Sequence, residues 1–294
     1  MLRLVCSLVV LGAAAATACP TCACGNPALL SMGADQPYDG RIRLGTTFRA
    51  WQQIDGAVGV DQATLRELRL DLLVSWSPLR RWSFVLDLPL QVRERTDVAL
   101  ARERGFGPGE GSLSARVLLL GAEGFRPRHL VSLVGSVRLP TAPTLRDGKT
   151  GQQLELDAQL GPGSFVPGLG VSWAAFIGDQ WSTLASLTAE VPIEGRFGLR
   201  IGPSVALIGW AQFQPWKWLG FRAGVDTRFE AVSFVSGMAD ASNSGVLLQA
   251  LGDVVVAPTP KVMLSAGARV PFLDVRGAPH QQSPIFLVSL VVDV

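Results

Sequence analysis

The feature that most limits the fold of this chain is a two-residue alternation of apolar and polar side chains, which recurs from Gly40 to Val294. In the first such stretch one set of alternate residues is mostly apolar: Ile42, Leu44, Thr46, Phe48 and Ala50. The residues between them are more polar: Arg41, Arg43, Thr47 and Arg49. Because successive side chains of a β-strand point to opposite faces, this spacing predicts a strand with one apolar and one charged face. Such a strand suits a wall between lipid and water.

The composition argues against both a soluble protein and a helical membrane protein. The 294 residues include 32 glycines and one tyrosine, and only 17% are charged. After the first eighteen residues, no apolar run reaches the roughly 20 residues that a spanning helix needs. Apolar surface without apolar runs is typical of a strand-built membrane protein. The net charge of +2 is small and mixed, so no nucleic-acid partner is expected.

Counting the alternating segments predicts an all-β, antiparallel, up-and-down transmembrane barrel of about 12 strands, an even number as in bacterial single-chain barrels. The predicted strands are 40–54, 64–77, 82–95, 111–121, 129–140, 155–178, 181–194, 197–213, 217–230, 245–257, 261–272 and 283–294. Connections alternate short and long, except that Glu194–Arg196 is tight where a long loop is due. The glycine-rich stretch Gly105–Gly109 reads as a flexible external loop.

Tryptophans mark one rim of the predicted barrel. Five of them flank the short connections, namely Trp76, Trp82, Trp181, Trp216 and Trp218. Interfacial aromatic girdles have this placement, and short turns belong to the periplasmic side of such barrels. Trp51 and Trp210 lie elsewhere, so the girdle at the other rim looks thin.

The amino end predicts export. A basic start, an apolar core and the exit Ala16-Thr17-Ala18 indicate a signal peptide over 1–18. Residues 19–39 then form an irregular arm, on the periplasmic side or plugging the lumen, and the barrel occupies 40–294. A cleaved signal followed by strands predicts the bacterial outer membrane, with its lipids as partners.

The arm contains Cys19, Cys22 and Cys24. Three thiols could bind a soft metal ion such as Cu(I), the one cofactor considered for this chain. Alternatively, Cys19 is acylated as in a lipoprotein, or a disulfide joins two of the thiols in an oxidising compartment. These three interpretations remain open.

The charged positions of the polar faces are expected to line the lumen, because an Arg or Lys facing lipid near the midplane costs about 2–4 kcal/mol. The candidates for a solute path are Arg41, Arg43, Arg49, Arg69, Asp71, Asp87, Arg116, Arg138, Glu190, Arg222, Asp226 and Arg228, with Glu155, Asp157 and Arg200 among further inward charges. Most should form ion pairs with one another, and any arginine excess near the first strand would steer an anionic solute.

An enzymatic role is not predicted. His129 and Ser132 are the one His–Ser pair with plausible spacing for a barrel phospholipase, but residues three apart on a strand point to opposite faces. His280 lies beside Ser283 without an evident acid partner.

The stretch from Val137 to Trp173 carries a resemblance. Leu139-Pro140-Thr141 ends one strand, a polar loop follows, and Leu160-Gly161-Pro162-Gly163-Ser164 precedes the next strand. This arrangement resembles the signature of the outer-membrane barrel family labelled as a transporter of the MetA pathway of phenol degradation. The resemblance implies a transporter-like barrel and small hydrophobic compounds as solutes.

The sequence thus predicts a channel or transporter-like barrel that passes a small solute or ion through a narrow, charge-lined lumen. The alternative is an outer-membrane anchor that presents the Cys-containing arm to a periplasmic metal or redox partner.

Overall fold

The computed structural model describes residues 39–56, 60, 62–99, 101–121, 128–242, 244–277 and 280–294, without the side chains of Phe197 and His280. The predicted signal peptide and Cys19, Cys22 and Cys24 lie outside the described residues.

Alternating residues form strands along almost the whole described chain. The strands are β1 (Arg41–Asp55), β2 (Ala63–Leu79), β3 (Trp82–Thr96), β4 (Arg102–Pro108), β5 (Ser112–Leu120), β6 (His129–Arg138), β7 (Val166–Ile177), β8 (Trp181–Glu190), β9 (Leu199–Arg200), β10 (Ser204–Trp216), β11 (Leu219–Glu230), β12 (Ser233–Val235), β13 (Met238–Asp240), β14 (Gly245–Thr259), β15 (Val262–Arg276), β16 (His280–Gln282) and β17 (Ile285–Asp293). Two short 3-10 helices, Leu156–Ala158 and Arg196–Gly198, interrupt them. Neither helix is long and apolar enough to cross a membrane.

The main sheet closes on itself, because β1 pairs with β2 on one side and with β17 on the other. Its fourteen strands occupy twelve strand positions around the barrel, here named staves. Strands β4 and β5 share one position because both pair with β3, and β16 and β17 share another because both pair with β1. All pairings are antiparallel. Closure removes the edge strands that would otherwise leave backbone groups unpaired in lipid. The predicted twelve-strand antiparallel barrel is confirmed.

The two faces of the wall differ as the alternation predicts. On β1, Arg43, Arg49 and Gln53 are buried in the lumen, whereas Leu44 and Phe48 are exposed on the outside. The five tryptophans near the short connections are 40% to 55% exposed on the outer face. The outer surface is therefore an apolar band with an aromatic girdle at the end that carries the short turns, here named the short-turn end.

One predicted loop and the start of one predicted strand are wrong. The stretch Gly105–Gly109 largely belongs to β4, which pairs with β3 through residues 90–96. Its glycines serve packing rather than turning, since a Cβ on Gly105 would lie 2.5 Å from Leu145 Cδ1. The strand predicted from residue 155 begins instead at Val166, because Pro162 lacks an N–H for a sheet ladder and Gly163 has a φ of +65°.

The tight turn predicted at Glu194–Arg196 is also wrong. Residues 191–203 form a longer connection with a 3-10 helix and β9, and Pro192 and Pro203 bracket it. Strand β9 joins β12 and β13 in a separate three-stranded sheet. Arg200 is exposed there, and Glu155 is exposed as well, so neither lines the lumen as predicted. The longer connection restores the alternation of short and long connections.

Candidate functional site: a two-sided barrel lumen

The lumen side of β1, β2, β3 and β17 is a network of arginines and aspartates, here named the charged wall. Arg41 and Arg43 both bind Asp293, with N–O distances of 2.6 and 2.7 Å. Arg49 and Arg69 both bind Asp71, at 2.7 and 2.5 Å. Asp87 adds a longer contact to Arg69, 3.8 Å from its guanidinium. The charged wall is therefore taken as these seven residues, four arginines and three aspartates; Arg93 and Glu67 on the same strands form a balanced pair of their own.

Most other predicted lumen charges lie in separate ion pairs. Arg138 binds Glu190 at 3.2 Å, and Asp226 binds Arg269 at 2.7 Å. Arg228 approaches Glu230 at 3.4 Å on the same strand. Arg222 and Arg116 are both buried on the lumen side, of β11 and β5 respectively. The sequence predicts that these residues face the lumen. The structure adds which carboxylate each of the paired arginines binds.

Facing the charged wall, the lumen has an apolar arc, defined as Leu118, Leu130, Ala174, Leu184, Ile208, Trp210 and Leu251. The strand register aligns these residues: Ala174 lies opposite Leu184, which lies opposite Trp210. Gly224 lies next in the row, and a Cβ there would come 2.7 Å from Trp210 Cβ. One side of the lumen is thus ionic, and the other carries a row of apolar side chains with Arg116 and Arg222 beside it.

Residues 139–165, here named the lumen loop, fold back against the lumen side of β3. Gln91 Nε2 donates a hydrogen bond to the Leu160 carbonyl at 2.5 Å, and Arg93 Nη1 donates to the Gln159 carbonyl at 2.6 Å. Arg95 approaches Asp157 at 3.6 Å. Ala158, Gln159 and Leu160 are at most 2% exposed. The lumen loop therefore narrows the lumen at the end opposite the short turns.

Two charged residues hold the halves of the family-like signature together. Glu110 Oε1 accepts a hydrogen bond from the Gly163 N–H at 2.6 Å, and a Cβ on Gly161 would meet Glu110 Cγ at 2.5 Å. Arg196 donates to the carbonyls of Ala142 and Pro140, at 2.6 and 3.0 Å.

Thr141 binds the backbone on both sides of Glu110. Its hydroxyl donates to the Gly109 carbonyl and accepts from the Gly111 N–H. The signature residues Leu139, Pro140, Thr141, Gly161, Pro162, Gly163 and Ser164 thus meet at the base of the lumen loop.

Sequence reasoning missed Arg93, Glu110, Arg196 and Trp210 as lumen or loop contacts. It placed Gln91 on the polar face of its strand but did not predict its contact with the loop. Trp210 had a usable signal, because it lies in phase with Gln212 and Gln214 on the polar face of β10. Glu110 and Arg196 had none, since their partners are 53 and 54 residues away in the chain.

His129 and Ser132 do point to opposite faces. The His129 ring is exposed and stacks on Trp173 with ring centres 5.9 Å apart, whereas Ser132 is 3% exposed in the lumen. Among the described residues, no three His, Cys, Asp or Glu side chains are grouped so that they could hold a metal ion.

Comparison with known proteins finds solved outer-membrane structures that are similar to this barrel. No protein-family model and no curated protein matches the chain. An outer membrane channel of Pseudomonas putida F1 is similar at a TM-score of 0.69 and 14% identity, over 89% of this chain and 97% of that one. The CymD monoaromatic hydrocarbon channel gives 0.48 and 10%, over 92% and 91%. The translocator domain of autotransporter NalP of Neisseria meningitidis gives 0.49 and 9%, over 89% and 91%.

The first of these likenesses shows a shared fold. Together with the apolar outer band, the aromatic girdle and the closure of the wall, it places this protein in the bacterial outer membrane as a twelve-stranded barrel.

Proposed function

We propose that this protein is an outer-membrane channel for small solutes that have an apolar part and a polar or anionic part. The observation that carries the proposal is the two-sided lumen, with the charged wall on β1, β2, β3 and β17 and the apolar arc across from it. A solute of mixed character finds a matching surface on each side. Rings of charged side chains in a pore bias which ions enter, and the excess of one positive charge among the seven residues of the charged wall favours anions.

The size of the path supports a small solute. Barrels of about eight strands are filled by side chains and those of 16 or more strands hold an aqueous channel, so twelve staves leave an intermediate lumen. The lumen loop takes up part of that space through its contacts with Gln91 and Arg93. The transport of a large or folded cargo is not supported by this geometry.

We also propose membership of the transporter family that the sequence resembles. Support comes from the contacts of the signature, whose two halves are bound by Arg196 and Glu110 around one segment of wall. This explains why the two halves of the motif occur together although a polar loop separates them. The solute named in that family's label is not needed for the proposal.

The test is conductance of the purified protein in a planar lipid bilayer, with the reversal potential measured in a KCl gradient. Arg43→Gln should shift the selectivity toward cations, because Asp293 keeps Arg41 as its partner and one positive charge is lost from the lumen. Arg66→Gln is the matched control, since Arg66 is an exposed arginine on the outer face of β2. A folded protein that conducts no ions and passes no small solutes into liposomes would overturn the proposal.

A further inference from the structure

A cavity of about 250 Å³ opens in the lumen near the short-turn end. It lies between the β7–β8 turn, strands β10 and β11, and the ends of β14 and β15. Its apolar lining includes Phe176, Trp210, Val255 and Met263. Typical ligand pockets measure about 300–1,000 Å³, so this cavity suits a smaller molecule of about ten non-hydrogen atoms.

One guanidinium group provides the fixed polar point of the cavity. Arg222 Cζ lies 4.4 Å from the ring centre of Trp210, and Arg222 Nη2 donates to Gln212 Oε1 at 3.1 Å. Gln212 in turn donates to Gln214 at 3.4 Å, and Gln214 donates to the Lys217 carbonyl at 3.1 Å. The ring and this ladder of hydrogen bonds fix the guanidinium in place beside the apolar surface.

The charges around the cavity determine what it prefers. Asp253 Oδ2 lies 3.5 Å from Arg222 Nη1, and Asp179 is part of the lining. These two carboxylates offset the arginine, so the cavity gives an anion no net attraction. A guanidinium nevertheless has five N–H donors in a planar fork, which allows it to bind a neutral acceptor as well as its present partners.

We propose that this cavity is a binding subsite for a small, neutral solute with an apolar body and one hydrogen-bond acceptor. The apolar body of the solute packs among Phe176, Val255 and Met263, and its acceptor faces Arg222. The proposal rests on the proposed channel function and adds to it a resting place for the solute near the short-turn mouth. The charged wall, on other staves, acts on ions independently of this subsite.

The experiment is isothermal titration calorimetry of the full-length protein in detergent with benzamide, a neutral ring with a carbonyl acceptor. Arg222→Gln should weaken binding about tenfold, the usual effect of losing a hydrogen bond to a charged group. Arg228→Gln is the matched control, because Arg228 is a lumen-facing arginine of the same strand outside the cavity. Met263→Trp fills the cavity without removing a polar group and should abolish binding.

Two further probes test the chemical class. Toluene keeps the ring but lacks the acceptor, and benzoate keeps the ring but is anionic; both should bind more weakly than benzamide. Equal binding of the three probes, or an equal loss of binding in Arg222→Gln and Arg228→Gln, would overturn the subsite. A wild-type protein that conducts but does not bind benzamide overturns the subsite alone. Benzamide binding without conductance supports the subsite and overturns the channel.

Discussion

Arg49 of β1 lies directly opposite Arg69 of β2, and the carboxylate of Asp71 bridges the two guanidinium groups. Like charges in directly opposed positions destabilise a sheet, so this pairing depends on the carboxylate between them. Asp71 is fully buried, with 0% of its side chain exposed.

Asp71→Asn should therefore destabilise the barrel by about 3–5 kcal/mol, the cost of removing one partner from a buried charge pair. The loss is measured by urea unfolding in lipid vesicles. The folded fraction is read from gels, on which an unheated folded barrel migrates differently from the unfolded chain. Adding Arg69→Gln to Asp71→Asn should recover part of it, because only one arginine then remains. Glu94→Gln breaks the exposed pair with Arg102 and should change little. If the double variant is no more stable than Asp71→Asn alone, repulsion between the arginines is not the cause.

The lumen loop should be released by a single methyl group at its base. Gly163→Ala places a Cβ 2.6 Å from Arg196 Cγ, at a position with a φ of +65°, while Arg196 is held by two carbonyls. We expect a larger single-channel conductance, because the loop contacts with Gln91 and Arg93 loosen.

Gly151→Ala is the control for backbone strain in the same loop. Its φ of +69° imposes a similar cost, but nothing lies within 4 Å of the added Cβ. Its conductance should stay at the wild-type value. Equal conductance of both variants would mean that the contact with Arg196 does not hold the loop.

Close packing of the apolar arc depends on Gly224. An added Cβ would collide with the Gly209 carbonyl oxygen and lie 2.7 Å from Trp210 Cβ, so Gly224→Ala should cost about 1–3 kcal/mol as an overpacked interior. Gly252→Ala on the adjacent strand has no atom within 4 Å and should be close to neutral. Urea unfolding of the two variants compares their stabilities, and similar values would show that the backbone of β10 at Gly209 and Trp210 can shift to make room.

The wall could be predicted from the sequence because strand alternation is local. Arg43 and Leu44 are adjacent in a strand and therefore point to opposite faces, so their chemistry alone predicts which one faces the lumen. The closed barrel is predicted from the number of strands and the lengths of their connections. The register is not local: nothing in the sequence places Arg49 opposite Arg69 rather than one step further along.

The lumen loop could not be predicted for the same reason. Its contacts join residues far apart in the chain, such as Gln91 with Leu160. A polar side chain that faces the lumen can bind either lumen water or a folded segment of the chain, so its presence in the sequence does not predict which of the two it contacts. The alternation of Glu155 and Asp157 therefore resembled a strand, whereas the 3-10 helix buries Asp157 against Arg95 and leaves Glu155 exposed.

The position of the barrel in the bilayer gives the last prediction. Leu72 lies on the outer face in the middle of β2, and Ile42 lies on the outer face at the start of β1, opposite the girdle residue Trp76. A lipid-facing arginine costs about 2–4 kcal/mol at the midplane and about 0–1 kcal/mol near the interface. Leu72→Arg should therefore destabilise the protein in vesicles far more than Ile42→Arg, as measured by urea unfolding. In detergent micelles the difference should shrink, because the detergent adapts to the charge. Equal costs in vesicles would show that the short-turn end does not lie at the membrane interface.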